Sequence, residues 1–480
     1  MRPWSCDTFA ALADTGPGGR VLVGKNSDRP VGDAQPLCFL PRRTAQQSGG
    51  RLRLAYLEID DVPKSAAHIG GSPYWCWGHE QGLNEHGVAI GNEALFTRDW
   101  AAAVCSAEQG EEPERGILGM ELVRLGLERG RNAGEALETI CNLVKRHGQW
   151  GSGVPGEPPV SGGYDNSFLI ADSCEAWILE TSGRNWVARR VTSGTVAVSN
   201  QPTIRTQWDR ASSGLVEHAV RQGWWSFEPA DQPFDFARSY VDPKTPLQLS
   251  HIRLQRSRQL LREAVASGGE VSVQTGQRIL RDHYEDTFLG GPYFNAAVPD
   301  FLSLCMHSHP SDFTWGDTAA STVFVLPTEE QCDQHLPHLW WSPVTPCTGV
   351  YVPVFVDAGG LPETVSAAGT AGHRPQRPEN ATKDAFDERS YWWRFQELLE
   401  RAKGGPGAPQ FARNQPVIRQ AFDVLELRWA ARLPQVEREG IVLRDLGRDG
   451  EMRTVLREFT EACVTEALAT ADALISRIGA

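Results

Sequence analysis

Cys6 and the polar run Lys25-Asn26-Ser27-Asp28 are the residues of this chain whose types and spacing most readily do chemistry. A nucleophilic thiol needs a cation that favours the thiolate and a carboxylate that orients or receives a proton, and the run offers both. The apolar stretches around them, "CDTFAALA" and "RVLVGK", flank the turn-forming cluster "DTGPGG", which predicts a β-hairpin. With the turn centred on residues 16 and 17, opposed positions sum to about 33, which sets Cys6 opposite Ser27. A rival reading takes "GGRVLVGKNSDRP" as a phosphate loop. It fails on chemistry: Arg-Val-Leu-Val between the glycines favours a strand, and Asn26 stands where a magnesium-binding hydroxyl belongs.

Further candidates lie downstream. Asn92 ends the alternating set Val88, Ile90, Asn92, and Asn200 ends Val196, Val198, Asn200, so each amide is either a turn residue or an inward donor. In "SHIRLQRSRQLLREAV", at about 100° per residue, Leu254, Arg258, Leu261 and Val265 share one stripe. Arg258 is therefore expected to face inward, with Arg253 and Arg256 pointing away and Arg262 at the edge. "CMHSHP" and "CDQHLPH" gather Cys305, His307, His309, Cys332, His335 and His338, but these spacings fit no standard pair of zinc-binding knuckles. No metal or other cofactor is expected on that basis. His307 and His283 are expected to line a substrate cleft or to satisfy core hydrogen bonds.

The elements that must position these residues are legible in outline. A second hairpin is expected in "GLNEHGVAIGNEALF", turning at Glu85-His86-Gly87. Two helices divided near Gly130 fill 116–147, with Asn132 and Glu135 forming a capping-box variant. Four short apolar runs between 164 and 200 predict an antiparallel meander, and further strands return between 301 and 356. Residues 366–383 are rich in Gly, Pro, Ala and Thr and predict a linker, after which 384–480 is mostly helical. Strands, then helices, then strands again indicate an α+β fold with helices covering antiparallel sheet.

Composition narrows the function classes. A net charge of −13 with no basic cluster argues against nucleic acid. No run approaches the ~20 apolar residues of a membrane span, and no signal-like segment opens the chain, which suggests a cytoplasmic protein and no membrane partner. Ten cysteines scattered over 480 residues fit reduced thiols better than a disulfide framework.

"CDTFAALAD…GKNSDRP" resembles the opening of the secernins and of the dipeptidase A-like cysteine peptidases, in the N-terminal nucleophile hydrolase superfamily. "GLNEHGVAIGNEAL", "LRDHYEDT", "SLCMHSHP" and "GVYVPVFV" match further landmarks of that family, from Cys6 to about residue 400. The resemblance implies a four-layer αββα sandwich over 6–365 with an added helical C-terminal region. It implies self-removal of Met1–Ser5, so that Cys6 becomes both nucleophile and bearer of the α-amine. It aligns Asp28 with a residue that orients this amine, Asn92 and Asn200 with oxyanion donors, and Arg258 with a buried Arg that follows Ser. Lys25 stands where relatives carry Arg, which keeps the charge but loses the bidentate fork. The implied activity is hydrolysis of an amide bond in a small peptide or N-acyl compound through a thioester. Transfer of the acyl group to an amine, and a non-catalytic interaction role, remain alternatives, and a homo-oligomer is left open.

Overall fold

The computed structural model describes residues 5–44, 50–226, 232–245, 248–290, 294–309, 314–405 and 410–478, with the side chains of 248 and 249 left aside. The opening hairpin pairs β1 (Cys6–Ala11) with β2 (Val21–Pro30), and Cys6 stands opposite Ser27. β3 (Leu37–Leu40) and β4 (His68–Gly71) lead to the second hairpin, β5 (Gln81–Asn84) and β6 (Ala89–Leu95). α1 (Gly119–Arg129) and α2 (Ala133–His147) part at Gly130, and Asn132 Oδ1 caps α2 by accepting from Glu135 N at 2.9 Å. β7 (Asp165–Ala171), β8 (Ala176–Ser182) and β9 (Asn185–Val191) run as an antiparallel meander, followed by β10 (Thr195–Val198) and β11 (Arg210–Ala211). Then come α3 (Gln248–Gly268), α4 (Val273–Leu280), β12 (Gly316–Leu326), β13 (His338–Pro343) and β14 (Val352–Phe355). α5 (Tyr391–Lys403), α6 (Phe411–Asp445) and α7 (Asp449–Ile478) complete the chain.

The strands form two main antiparallel sheets, one ordered β10-β1-β2-β12-β13-β14 and the other β11-β9-β8-β7-β6-β5-β4-β3. Alternation along β6 and β7 shows how they stack. Ala89, Leu169 and Ala171 join the core shared with the first sheet, whereas Ile90, Phe168 and Ile170 pack with Leu122, Val123 and Leu137 under α1 and α2. On the far side of the first sheet, α3 and α4 close over β1, β2 and β10. The layers are therefore helix, sheet, sheet, helix: the αββα sandwich expected of an N-terminal nucleophile hydrolase. α5 and α7 cover β13 and β14, and their apolar residues Phe395, Leu456 and Phe459 belong to the same core as Phe9 and Val23.

One sequence expectation needs revision. β10, the fourth run of the predicted meander, leaves its neighbours and joins the first sheet beside β1. Pairing between strands remote in sequence follows tertiary packing, which a local apolar pattern does not encode. Within 366–383, Arg374 N donates to Tyr74 O at 2.8 Å and Gln376 N to Trp75 O at 2.9 Å.

Candidate active site

Strand alternation sorts the residues around Cys6. Cys6 and Thr8, with Lys25 and Ser27 opposite, face the space between the sheets, as the bond from Thr8 Oγ1 to Glu93 on β6 shows. Asp7, Asn26 and Asp28 face the helix side. Extending the β1–β10 register, in which Thr8 meets Val198, brings Asn200 opposite Cys6. Asn200 Oδ1 accepts from Cys6 N at 2.8 Å, and its Nδ2 donates to Ala94 O at 2.9 Å. Cys6 itself is 7% exposed. Burial pushes its thiol up to about 12, while the Lys25 ammonium pulls it down and the carboxylates of Glu80, Asp28 and Glu93 add to the rise. Burial thus favours the protonated thiol at neutral pH.

Lys25 is fully buried, and its Nζ donates to Asn92 O at 2.5 Å and lies 3.6 Å from Glu93 Oε1. Its stem crosses Gly91, where a Cβ would come within 2.5 Å of Lys25 Cδ, so only glycine leaves room for it. Asn92 itself departs from expectation. Its parity is that of Val88 and Ile90, so its amide points to the helix side of the second sheet, 3.1 Å from Asn166 Oδ1 and beside Glu80. The Asn92 side chain is therefore no donor toward Cys6; its backbone carbonyl reaches the site through Lys25.

Arg258 is the second correction. It is half-buried, whereas Arg253 is 1% exposed and lies against Cys6. Its guanidinium donates to Cys6 O at 3.1 Å, to Asn200 Oδ1 at 2.8 Å and to the Asp7 carboxylate. The buried face of α3 runs through Ser250, Arg253, Leu254, Ser257, Leu261 and Ala264. A stripe drawn on the large apolar residues alone overlooks the buried Ser and Ala positions. Arg256, also expected outside, is buried on Asp282, with Nη2 to Oδ2 at 2.6 Å.

Asp28 holds Ser5 rather than the thiol. Its Oδ2 accepts from Ser5 Oγ at 2.8 Å and its Oδ1 from Thr318 Oγ1 at 2.7 Å. Burial raises its carboxyl to about 7, against the pull of Arg253 and with a further push from Asp7. The sign of the linkage follows. An acid whose folded pKa exceeds its ordinary value of 3.8 lends stability that is complete below about 4 and is lost as pH rises through about 7. In Cys6→Ala protein, the urea midpoint is expected to fall less steeply between pH 5 and 8 once Asp28→Asn is added. Equal slopes in the two proteins would refute the assignment.

His283 and His307, expected at a substrate cleft, come together away from Cys6's face. His283 borders a cavity of about 270 Å³ with Tyr284, Phe294 and Phe301. His307 is 1% exposed and enclosed by His283, Cys305, Cys347 and Phe411, so of its two expected places it takes the core and not the cleft wall. His338 opens β13 and is buried beside Glu437. Residues that sequence reading missed at the site are Arg253, Glu93 and Thr8. Their signal was available in part, since Glu93 shares the parity of Gly91 and is the one charged residue of its strand. Met1–Trp4, most of the segment expected to be removed, lie outside the described residues.

Residues 60–245 match the family model of peptidase family C69. The match bears out the resemblance to the dipeptidase A-like cysteine peptidases and marks the chain as a hydrolase of peptide or amide bonds. The C69 stretch carries Asn92 and Asn200, while Cys6, Lys25, Asp28 and Arg253 lie outside it. Among solved structures, the chain is similar to a mutant of conjugated bile acid hydrolase from Clostridium perfringens, at 13% identity and TM-score 0.38, covering 70% of this chain and 88% of that one. It is also similar to the Caenorhabditis elegans ortholog of N-acylethanolamine-hydrolyzing acid amidase, at 10% identity and TM-score 0.31, covering 68% and 96%. Among the described residues, no helix is long and apolar enough to cross a membrane.

Proposed function

We propose that this chain is a cysteine amidohydrolase that cleaves a small peptide or N-acyl amide and matures by losing Met1–Ser5. The observation that carries this reading is the way the Ser5–Cys6 peptide is held: Cys6 N on Asn200 Oδ1 at 2.8 Å, and Ser5 Oγ on Asp28 Oδ2 at 2.8 Å. Breaking that peptide bond frees an α-amine beside Asn200, on the residue that carries the thiol. An α-amine with a pKa of ~7.7–8.0 is a base at neutral pH, which the buried thiol requires.

The amine takes the Cys6 proton, and the thiolate, favoured by Lys25, attacks the substrate carbonyl carbon. Asn200 has two amide hydrogens, of which Ala94 O takes one, so the other serves the oxyanion. Collapse of the tetrahedral species breaks the C–N bond, and the ammonium of Cys6 protonates the departing amine. Water then hydrolyses the thioester, returning the thiol and releasing the acid. Arg253 orients Asn200 and the Cys6 carbonyl throughout. The catalytic machinery lies in 6–365, with 384–480 as a helical addition, and ten free thiols accord with a cytoplasmic setting.

Intact mass of wild type beside Cys6→Ala, together with hydrolysis of a panel of dipeptides and acyl amides, tests the reading. Wild type is expected to lack Met1–Ser5 and to turn over a panel member, and Cys6→Ala to keep the segment and lose hydrolysis. Active wild type that still carries Met1 would overturn it. Faster thioester breakdown with added amines, giving amide products, would identify a transferase instead.

A further inference from the structure

His283, Cys305, His307 and Cys347 come from three separate segments: the loop after α4, the coil before β12 and the turn between β13 and β14. All four are buried, at 4, 0, 1 and 1% exposure, and their four ligand atoms lie within 4.8 Å of one another. His307 Nε2 is 3.2 Å from His283 Nε2, 3.3 Å from Cys347 Sγ and 3.7 Å from Cys305 Sγ. Zinc bonds of about 2.0–2.1 Å to nitrogen and about 2.3 Å to sulfur set tetrahedral edges of about 3.3–3.4 Å between nitrogens and about 3.5–3.6 Å between nitrogen and sulfur. The three distances from His307 fall close to these edges. Hydrogen bonding alone accounts for the cluster poorly, because one ring nitrogen cannot serve three partners.

The surroundings agree. His283 turns its other nitrogen, Nδ1, to Glu285 Oε1 at 3.0 Å, the outer carboxylate that fixes a metal-binding imidazole. Arg256 secures that loop through Asp282 and through Glu285 O at 2.8 Å. We propose that these two cysteines and two histidines form a closed tetrahedral zinc site of structural type. A set of two thiolates and two imidazoles selects zinc, and four protein ligands leave no position for substrate.

The site would clamp the ground beneath the nucleophile. Asn26, whose neighbour Ser27 faces Cys6, donates through Nδ2 to Leu280 O at 2.8 Å and Leu304 O at 2.7 Å, joining two of the clamped segments. Met306, between two ligands, places Sδ 3.0 Å from Ser5 Oγ and accepts through its carbonyl from Thr318 N at 3.0 Å.

Sequence spacing does not reveal the set, since only Cys305 and His307 are near neighbours and Cys332, His335 and His338 take no part. The test uses full-length protein expressed with zinc and dialysed against metal-free buffer. Elemental analysis is expected to give about one zinc per chain, falling at least tenfold in Cys347→Ser and in His283→Ala. Cobalt exchanged into wild type is expected to show thiolate charge-transfer and tetrahedral visible bands, which needs no variant to fold. Folded wild type with no zinc and no such cobalt spectrum would overturn the proposal, as would a Cys305–Cys347 disulfide found by peptide mapping.

Discussion

Arg253→Ala is expected to abolish maturation and hydrolysis, a loss of about 10²–10³-fold or more, whereas Arg258→Ala stays within about twofold of wild type. The contrast rests on position along one helix. Arg253 spans Cys6 O, Asn200 Oδ1 and Asp7, while Arg258 is half-buried away from them. Because removal of Arg253 leaves Asp7 as a buried charge without its partner, a stability loss of about 3–5 kcal/mol is expected alongside. Two further variants separate folding from positioning. Arg253→Ala with Asp7→Asn is expected to recover most of the denaturant midpoint without recovering activity. Arg253→Lys keeps the charge but not the fork, and is expected to fold and to lose at least tenfold in kcat/KM. Full activity in the double variant, or an Arg258→Ala defect as deep as that of Arg253→Ala, would show that the wrong arginine has been placed at Cys6.

The second large effect concerns Lys25. Lys25→Met strands Glu93 between the sheets with Thr8 as its remaining hydrogen-bond partner, and is expected to cost about 3–5 kcal/mol in equilibrium unfolding. Burial already raises the Glu93 carboxyl to about 7 against the pull of Lys25, so removing the ammonium favours its protonated form further. Lys25→Met with Glu93→Gln replaces both charges with groups of similar volume and is expected to return most of the stability. If Lys25 also favours the Cys6 thiolate, the stable double variant will still react more slowly with iodoacetamide, with its pH profile moved to higher pH. A double variant with the wild-type alkylation profile would confine Lys25 to a structural role. That experiment decides what the exchange of Arg for Lys means, because it reads the thiol directly.

The features that proved legible before the structure depend on nearby residues. The opening hairpin registers Cys6 with Ser27 because "DTGPGG" fixes where the chain reverses, and period-2 alternation then carries the register along both strands. The capped helix at Asn132 and the turn at Glu85–Gly87 are local in the same way. Asn92 shows the limit of such reasoning. Its alternation with Val88 and Ile90 is visible in the sequence, but which side of the sheet meets helices and which meets the other sheet is not. Arg253 shows another, since four arginines on one helix look alike until the sheet beneath selects the face with small neighbours.

The sequence by itself determined the pairing of Cys6 with the polar strand that carries Lys25 to Asp28, and the layered α+β class, since each follows from turn chemistry and hydrophobic period within a few dozen residues. Only the tertiary structure decided which side chains converge on Cys6 from a distance: Asn200 by a strand crossing between sheets, Arg253 by helix docking, and Glu93 by the stacking of one sheet on the other. It alone also gathered His283, Cys305, His307 and Cys347. The physical reason is shared by all of these. Contacts between remote segments are set by how whole faces pack together, and no local window of sequence contains both faces.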